Sequence, residues 1–191
     1  MVAIMAKPVG QKAYDDLVVL AKSQATALGR LYDLYYERIL RFCMHRLFNR
    51  STAEDVTSSV FLTVARTMRE FKGATEQDFR SWIYTIAVNQ TNAHIRKTMR
   101  RKRLMEDFVR GRRGDEQGSD EWFSLDWPTL YAAIRELKPE HQTLLTLRFF
   151  ENMDYDEIAG VVGARPATIR VTLHRVLRRL QEVLRGDLGE Q

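Results

Sequence analysis

The 191-residue sequence predicts an all-α protein made of two small helical domains joined by a flexible linker. Three observations lead there. Proline (4) and glycine (10) are scarce, which leaves long runs rich in Leu, Ala, Arg and Glu that favour helix. Apolar residues recur at steps of three and four, and no alternating β-branched run with hairpin turns competes with them. Charge then divides the chain. Residues 94–113 carry nine basic and two acidic side chains, a net +7, whereas residues 114–126 carry five acidic and no basic ones.

Each element follows from local pattern. Tyr14, Leu17, Leu20 and Ala21 share the face of a first helix, and Leu31, Leu34, Tyr35, Ile39, Phe42 and Leu47 the face of a second. A third opens at Ser51 or Thr52. Both Thr52-Ala-Glu-Asp55 and Ser51-Thr-Ala-Glu54 fit a capping box, and its stripe is Val56, Val60, Phe61, Val64 and Met68. Lys72-Gly73-Ala74-Thr75 breaks that helix. A fourth is predicted from about Asp78 to Lys97, with Trp82, Ile83, Ile86 and Ala87 inward. The Gly/Asp/Glu/Ser composition of Arg110–Glu121 reads as linker. Helices resume at Pro128, with Leu130, Ile134 and Leu137 ending at Lys138-Pro139, then Leu144, Leu145, Leu147 and Phe150. Asp154 caps a short helix, Tyr155–Val162, with Ile158, Ala159 and Val162 inward. Gly163-Ala164 turns the chain, and Pro166 opens a last helix carrying Leu173, Val176, Leu177, Leu180 and Leu184. The predicted organisation is an N-terminal arm over 1–12, a first domain over 13–97, a linker over 98–126, a second domain over 127–186 and a tail over 187–191.

Composition narrows the function. Net charge is +5 and the isoelectric point is near 9.5, which favours a polyanionic partner. Cys43 is the single cysteine, so no internal disulfide forms, which fits a reducing cytoplasm; amid Phe42 and Met44 it reads as a small buried apolar residue. No apolar run reaches the ~18–20 residues that span a bilayer, and Met1–Gly10 lacks the parts of a signal peptide. His45, His94, His141 and His174 are scattered. Neither a zinc-protease motif, a phosphate loop, a dinucleotide fingerprint nor a nucleophile elbow is present. The expectation is a binding protein that is not an enzyme and uses no cofactor or metal.

The binding signal is a helix-turn-helix over Asp154–Leu180. Its second helix sets Leu and Val on one face. The other faces, with the preceding turn, carry Arg165, Thr168, Arg170, Thr172, His174, Arg175, Arg178 and Arg179. Residues 170, 174 and 178 line one side at four-residue spacing. Arginine suits this role because its planar fork bonds guanine O6 and N7 in the major groove, while Arg178 and Arg179, near the helix end, suit phosphates. In the first domain Thr85, Asn89, Gln90, Asn92 and His94 precede the basic run. Phe71, Phe79, Trp82 and Tyr84 either offer flat faces to unstacked bases or belong to the core.

The sequence resembles the extracytoplasmic-function (ECF) group of bacterial RNA polymerase sigma factors. Carrying the resemblance are Ala53-Glu-Asp-Val-Thr-Ser-Ser-Val-Phe-Leu62, Phe79-Arg-Ser-Trp-Ile-Tyr-Thr-Ile-Ala-Val-Asn89 and Arg96-Lys97, then Leu137-Lys-Pro, Leu144-Leu-Thr-Leu-Arg148-Phe, Tyr155-Asp-Glu-Ile-Ala159, Gly163 and Thr168-Ile-Arg-Val-Thr-Leu-His-Arg175. The resemblance covers about residues 25–97 and 129–185. It implies that the first domain is sigma region 2, which binds the clamp helices of core RNA polymerase and melts the −10 promoter element. The second would be the region 4 helix-turn-helix, which reads the −35 element and touches the polymerase flap.

Carried over by position, core binding falls on Asp55, Ser58, Ser59 and Leu62. Contact with −10 DNA falls on Lys72, Asp78, Trp82, Asn89, Asn92, Arg96 and Lys97. Contact with −35 DNA falls on Arg165, Thr168, Arg170, Val171, Thr172, His174, Arg175 and Arg178. Asp55 also sits near a helix start, where it could serve as a cap. Ser58-Ser59 stand where the family usually has Gln-Glu, and Ala93 where it usually has Asp. Val171 and Thr172 replace common Ser and Arg, and Arg165 replaces the usual Ser cap. The expected partners are core polymerase, promoter DNA and an anti-sigma factor, with no membrane insertion. The competing reading is a dimeric helix-turn-helix repressor that acts without polymerase.

Overall fold

A computed structural model describes residues 10–108 and 128–188, with side chains over 10–101 and 130–184. Of the expected arm, linker and tail, residues 1–9, 109–126 and 189–191 lie outside the described residues. The elements run α1 (Gln11–Ala21), α2 (Ala25–Leu47), α3 (Arg50–Thr67), a 3-10 turn (Met68–Glu70), α4 (Glu76–Phe108), α5 (Pro128–Arg135), α6 (Pro139–Leu145), a π-helical turn (Thr146–Phe150), α7 (Tyr155–Val162) and α8 (Pro166–Leu188). All regular structure among the described residues is helical, with no strand, as the composition predicts.

In the first module α2 is the central helix, packed by α1, α3 and α4. Leu31, Tyr35, Ile39, Phe42 and Cys43 of α2 meet Val56, Val60, Phe61 and Val64 of α3 and Phe79, Ile83, Tyr84 and Ala87 of α4, all buried. Each large apolar side chain removed from water contributes about 1.5–3 kcal/mol. Burial pushes the Cys43 thiol up to about 12, so it stays an uncharged core group. In the second module α8 leans on α5, α6 and α7. Leu147, Met153, Ile158, Ile169, Leu173, Val176 and Leu180 fill the space between them.

Several expectations are corrected. Neither proposed box caps α3: the helix starts at Arg50, and the Asn49 side chain accepts from the Thr52 amide at 2.9 Å. Asparagine is as good an N-cap as serine, and it lies two residues before the first of the two patterns. Helix α4 continues past Lys97 to Phe108, because nothing between them breaks helix and the Arg/Lys run is a good helix former. Leu20, Leu34, Leu177 and Phe150 are exposed despite their apolar spacing, and Val161 rather than Val162 is the fully buried valine of α7. The π-helical turn accounts for Phe150, since one extra residue in the turn rotates the end of the stripe off the core face.

Candidate nucleic-acid interface

The α7–turn–α8 unit is fixed by local chemistry. Asp154 Oδ1 accepts from the Glu157 amide and Glu157 Oε2 accepts from the Asp154 amide, both at 2.8 Å, a complete capping box. Gly163 then adopts φ +68°, a left-handed conformation that favours glycine, and ends α7. Buried Ile169, Leu173, Val176 and Leu180 recur at four, three and four residues and pin one face of α8. The opposite faces are therefore free. Arg165, Thr168, Arg170, Val171, His174, Arg175 and Arg178 are exposed, and Thr172 is half-buried. Arg178 Nε also pairs with Glu182 at 3.4 Å in the open, a weak contact.

Tyr155 supports this surface, and the helix-turn-helix pattern gives no hint of its role. The Arg170 guanidinium lies over its ring at 5.2 Å and that of Arg148 at 5.0 Å. Arg148 is itself held, donating through Nη1 to the Met153 carbonyl at 2.8 Å.

On α3, Asp55, Ser58, Ser59 and Leu62 are all exposed and share one face at steps of three, one and three. Asn49 does the capping, so Asp55 is left as a surface charge inside the helix. Ser58 Oγ donates to the Glu54 carbonyl at 2.9 Å, and Gln90 Nε2 of α4 donates to the Ser59 carbonyl at 3.1 Å. Beside this face lies an apolar groove lined by Ala25, Leu28, Gly29, Tyr32, Phe61, Val64 and Ala65.

The loop before α4 is tightly built. Asp78 Oδ2 accepts from the amides of Ala74 and Thr75 at 3.0 Å, and Thr75 Oγ1 accepts from the Asp78 amide at 3.1 Å. The Thr75 side chain and then the backbone amides of Ala74 and Thr75 hold the Asp78 carboxyl below its ordinary range. A Cβ at Gly73 would meet the Asp78 Cβ and the Phe71 ring at 2.4 Å, so the loop path requires glycine. Lys72 and Asp78 are exposed. Phe71 and half-buried Trp82 stack with centroids 4.6 Å apart, and Lys22 Nζ lies 5.5 Å from the Phe71 centroid. Phe79 and Tyr84 are completely buried, so these two belong to the core and offer no face to a base. Asn89, Arg96 and Lys97 are exposed along α4, followed by exposed Arg100 and Arg101. Asn92 is half-buried, and its Oδ1 accepts from Arg46 Nη2 at 3.0 Å.

Residues 31–101 match the family model described as Sigma-70 region 2, and residues 129–180 match that described as Sigma-70, region 4. The chain belongs to the sigma-70 family, in its ECF group. It is 33% identical over 168 residues to the ECF RNA polymerase sigma factor BldN of Streptomyces coelicolor, covering 86% of this chain and 62% of BldN. It is 27% identical over 164 residues to RNA polymerase sigma factor YlaC of Bacillus subtilis, covering 84% of this chain and 94% of YlaC. The chain thus spans less than two thirds of the first relative and nearly all of the second. Its fold is similar, with TM-score 0.64 and 20% identity, to that of the sigma factor RpoE of Bartonella quintana in a complex with the anti-sigma factor NepR, covering 82% of this chain and 96% of that one. Sigma factors are in general non-catalytic regulators of transcription. Among the described residues no helix is long and apolar enough to cross a membrane.

In this sigma factor region 4 lies directly against region 2. Helix α7 packs on α4, and α6 and the π-helical turn pack on α2. Arg80 Nη1 of α4 bonds Glu157 Oε1 at 3.0 Å, and its Nη2 donates to the Glu151 carbonyl at 2.5 Å. The Tyr84 hydroxyl donates to Glu151 Oε2, and Thr85 Oγ1 donates to the Val161 carbonyl at 3.3 Å. Arg46, 1% exposed, donates through Nη1 to Gln142 Oε1 at 2.5 Å and bridges back to Asn92. Burial raises the Glu151 carboxyl against the opposing pull of Tyr84, Arg38, Arg41 and Arg80. Burial lowers the His45 imidazole to about 4, helped by Arg41, and its ring lies 3.9 Å from that of Phe150. Of the residues in these contacts only Asn92 is among the sequence-predicted site residues. Their only sequence signal is polar residues at helix positions that look solvent-facing.

Proposed function

We propose that this sigma factor binds core RNA polymerase and directs it to promoters, with α8 of region 4 reading the −35 element and region 2 recognising and opening the −10 element. The reading takes Asp55, Ser58, Ser59 and Leu62 as the contact with the clamp helices, and region 4 as the contact with the flap. Arg170, Val171, Thr172, His174 and Arg175 reach base edges or phosphates, while Arg165, Thr168 and Arg178 steady the backbone. Arg96, Lys97 and Asn89 follow the downstream strand, with Lys72, Asp78, Trp82 and Asn92 around it. The protein works in the cytoplasm, is not an enzyme, and melts DNA by holding unstacked bases, which shifts an equilibrium without covalent chemistry. An anti-sigma factor is a proposed further partner, by analogy with the RpoE complex.

The observation that supports this best is the exposed basic face of α8, held on a helix-turn-helix whose first helix has a complete capping box. The test is run-off transcription on a genomic fragment pool with purified core polymerase. Discrete transcripts that need the chain are expected, and none above core alone would overturn the reading. About six phosphate contacts give a log–log salt slope near −5 for the holoenzyme on its promoter. Asp55→Arg should weaken core binding about ten-fold with the fold intact, since a reversed charge at a complementary contact costs at least ~1.4 kcal/mol. Unchanged co-purification with core would remove Asp55 from the contact. The repressor reading requires a palindromic duplex bound without polymerase, and it leaves the α3 surface without a partner.

A further inference from the structure

An apolar side chain stands in the middle of the basic face of α8. Thr168, Arg170, His174, Arg175 and Arg178 are exposed there, and so is Val171, at 49%. Ile169 and Leu173, two residues to either side of it, are both buried. At about 100° per residue, Val171 therefore points almost directly away from the core of the helix-turn-helix. It stands on the crest of the helix, next to Arg170 and one turn before Arg175.

Four features suit Val171 to reading a base. It falls within about two turns of the Pro166 start, the part of a recognition helix that meets base edges in the major groove. Valine in a helix is held almost entirely in one rotamer, so its methyl groups are aimed without further ordering. Its neighbour is fixed as well: the Arg170 guanidinium lies over the Tyr155 ring at 5.2 Å, which sets the direction of that side chain. Ala167, one turn earlier on the same crest, is exposed and short, and adds no bulk that would hold the backbone off the bases.

Valine neither donates nor accepts a hydrogen bond. Of the groups that the bases present in the major groove, only the thymine 5-methyl is apolar. Cytosine at the same place presents its amino group, and adenine and guanine present polar edges. Against valine each of these would lose water and gain no partner.

We propose that Val171 reads a thymine of the upstream element through its 5-methyl group, on a base pair next to the guanine that Arg170 bonds. The two residues together read one step of the duplex, Arg170 by hydrogen bonds and Val171 by apolar contact. This deepens the −35 reading of α8 and rests on it.

The test uses a promoter mapped by run-off transcription. Each thymine of its upstream element is replaced in turn by deoxyuridine, which keeps the base pair and removes only the methyl group. Holoenzyme affinity is then read by competition. One replacement should weaken the wild-type holoenzyme roughly four-fold, the scale of one buried methyl. That thymine should adjoin the guanine at which an analogue lacking N7 weakens wild type but not Arg170→Ala. Val171→Ser should bind thymine and deoxyuridine equally at that place. It should keep its sensitivity to the guanine analogue, which a misfolded chain would not. A wild-type holoenzyme indifferent to every methyl would overturn the inference. So would a Val171→Ser holoenzyme that keeps the full methyl effect, or a methyl effect remote from the Arg170 guanine. Absence of any transcript that needs the chain would overturn the promoter reading itself, and this inference with it.

Discussion

Regions 2 and 4 of this sigma factor present their DNA-facing helices in opposite ways. In region 4 the apolar stripe of α8 is absorbed by α5, α6 and α7, and Arg165, Thr168, Arg170, His174, Arg175 and Arg178 face outward. In region 2 the middle of α4 is covered by the other module, and exposed polar and basic residues lie in the loop before it at Lys72, at its start at Asp78, and from Asn89 to Arg101. One module leaves the polar face of its helix exposed, and the other has the middle of its helix packed against its neighbour. The two modules sit on one tether, so their effective concentrations for one another are high and even a polar contact can hold.

The largest expected effect breaks the comparison at its centre. Arg46→Ala removes a buried guanidinium and leaves Gln142 Oε1 and Asn92 Oδ1 without a donor. About 3 kcal/mol of stability should be lost, seen as a fall in the urea midpoint. A variant as stable as wild type would mean that the network contributes nothing.

Next, Arg170→Ala should cost ~1–3 kcal/mol on the cognate upstream element while leaving random DNA almost unaffected. Equal losses on both would reduce Arg170 to a phosphate contact. Tyr155→Leu sharpens the point: losing the ring under Arg170 should cost about 0.5–1 kcal/mol on the same element.

The smallest effect comes from pH. The His45 imidazole is held near 4 in the folded chain, against 6.5 ordinarily, by burial and then by Arg41, with uncharged Phe150 and Tyr131 facing it from region 4. Between those values the unfolded chain binds a proton that the folded one refuses, so stability falls as pH drops from 6.5 towards 4. Allowing for its partial exposure, His45 should account for about 1 kcal/mol of the loss at pH 5. His45→Phe should remove that share, and identical urea midpoint shifts between pH 7 and 5 in both proteins would contradict it.

What the sequence made legible was local. The stripe Val56, Val60, Phe61, Val64 and Met68, the Asp154 cap, the Gly163 turn and the Pro166 start each depend on neighbours a few residues away, and each appears as expected. The cap of α3 was missed by two or three residues because several good capping residues crowd that stretch. Phe79 and Tyr84 could not be told from surface aromatics by spacing alone, since α4 is packed on more than one side. The network between modules was illegible for a plainer reason. Arg46 and Gln142 are 96 residues apart and Arg80 and Glu157 are 77 apart, and polar residues on amphipathic helices carry no mark of the partner that covers them.

The most direct test uses the free chain and two probes from one promoter mapped by run-off transcription. One is a duplex bearing the upstream element, and the other a single strand bearing the downstream element. Fluorescence anisotropy should show the chain alone binding the duplex but not the single strand, with single-strand binding appearing once core polymerase is added. If the free chain binds the single strand as tightly as the holoenzyme does, region 2 is already open and the account fails.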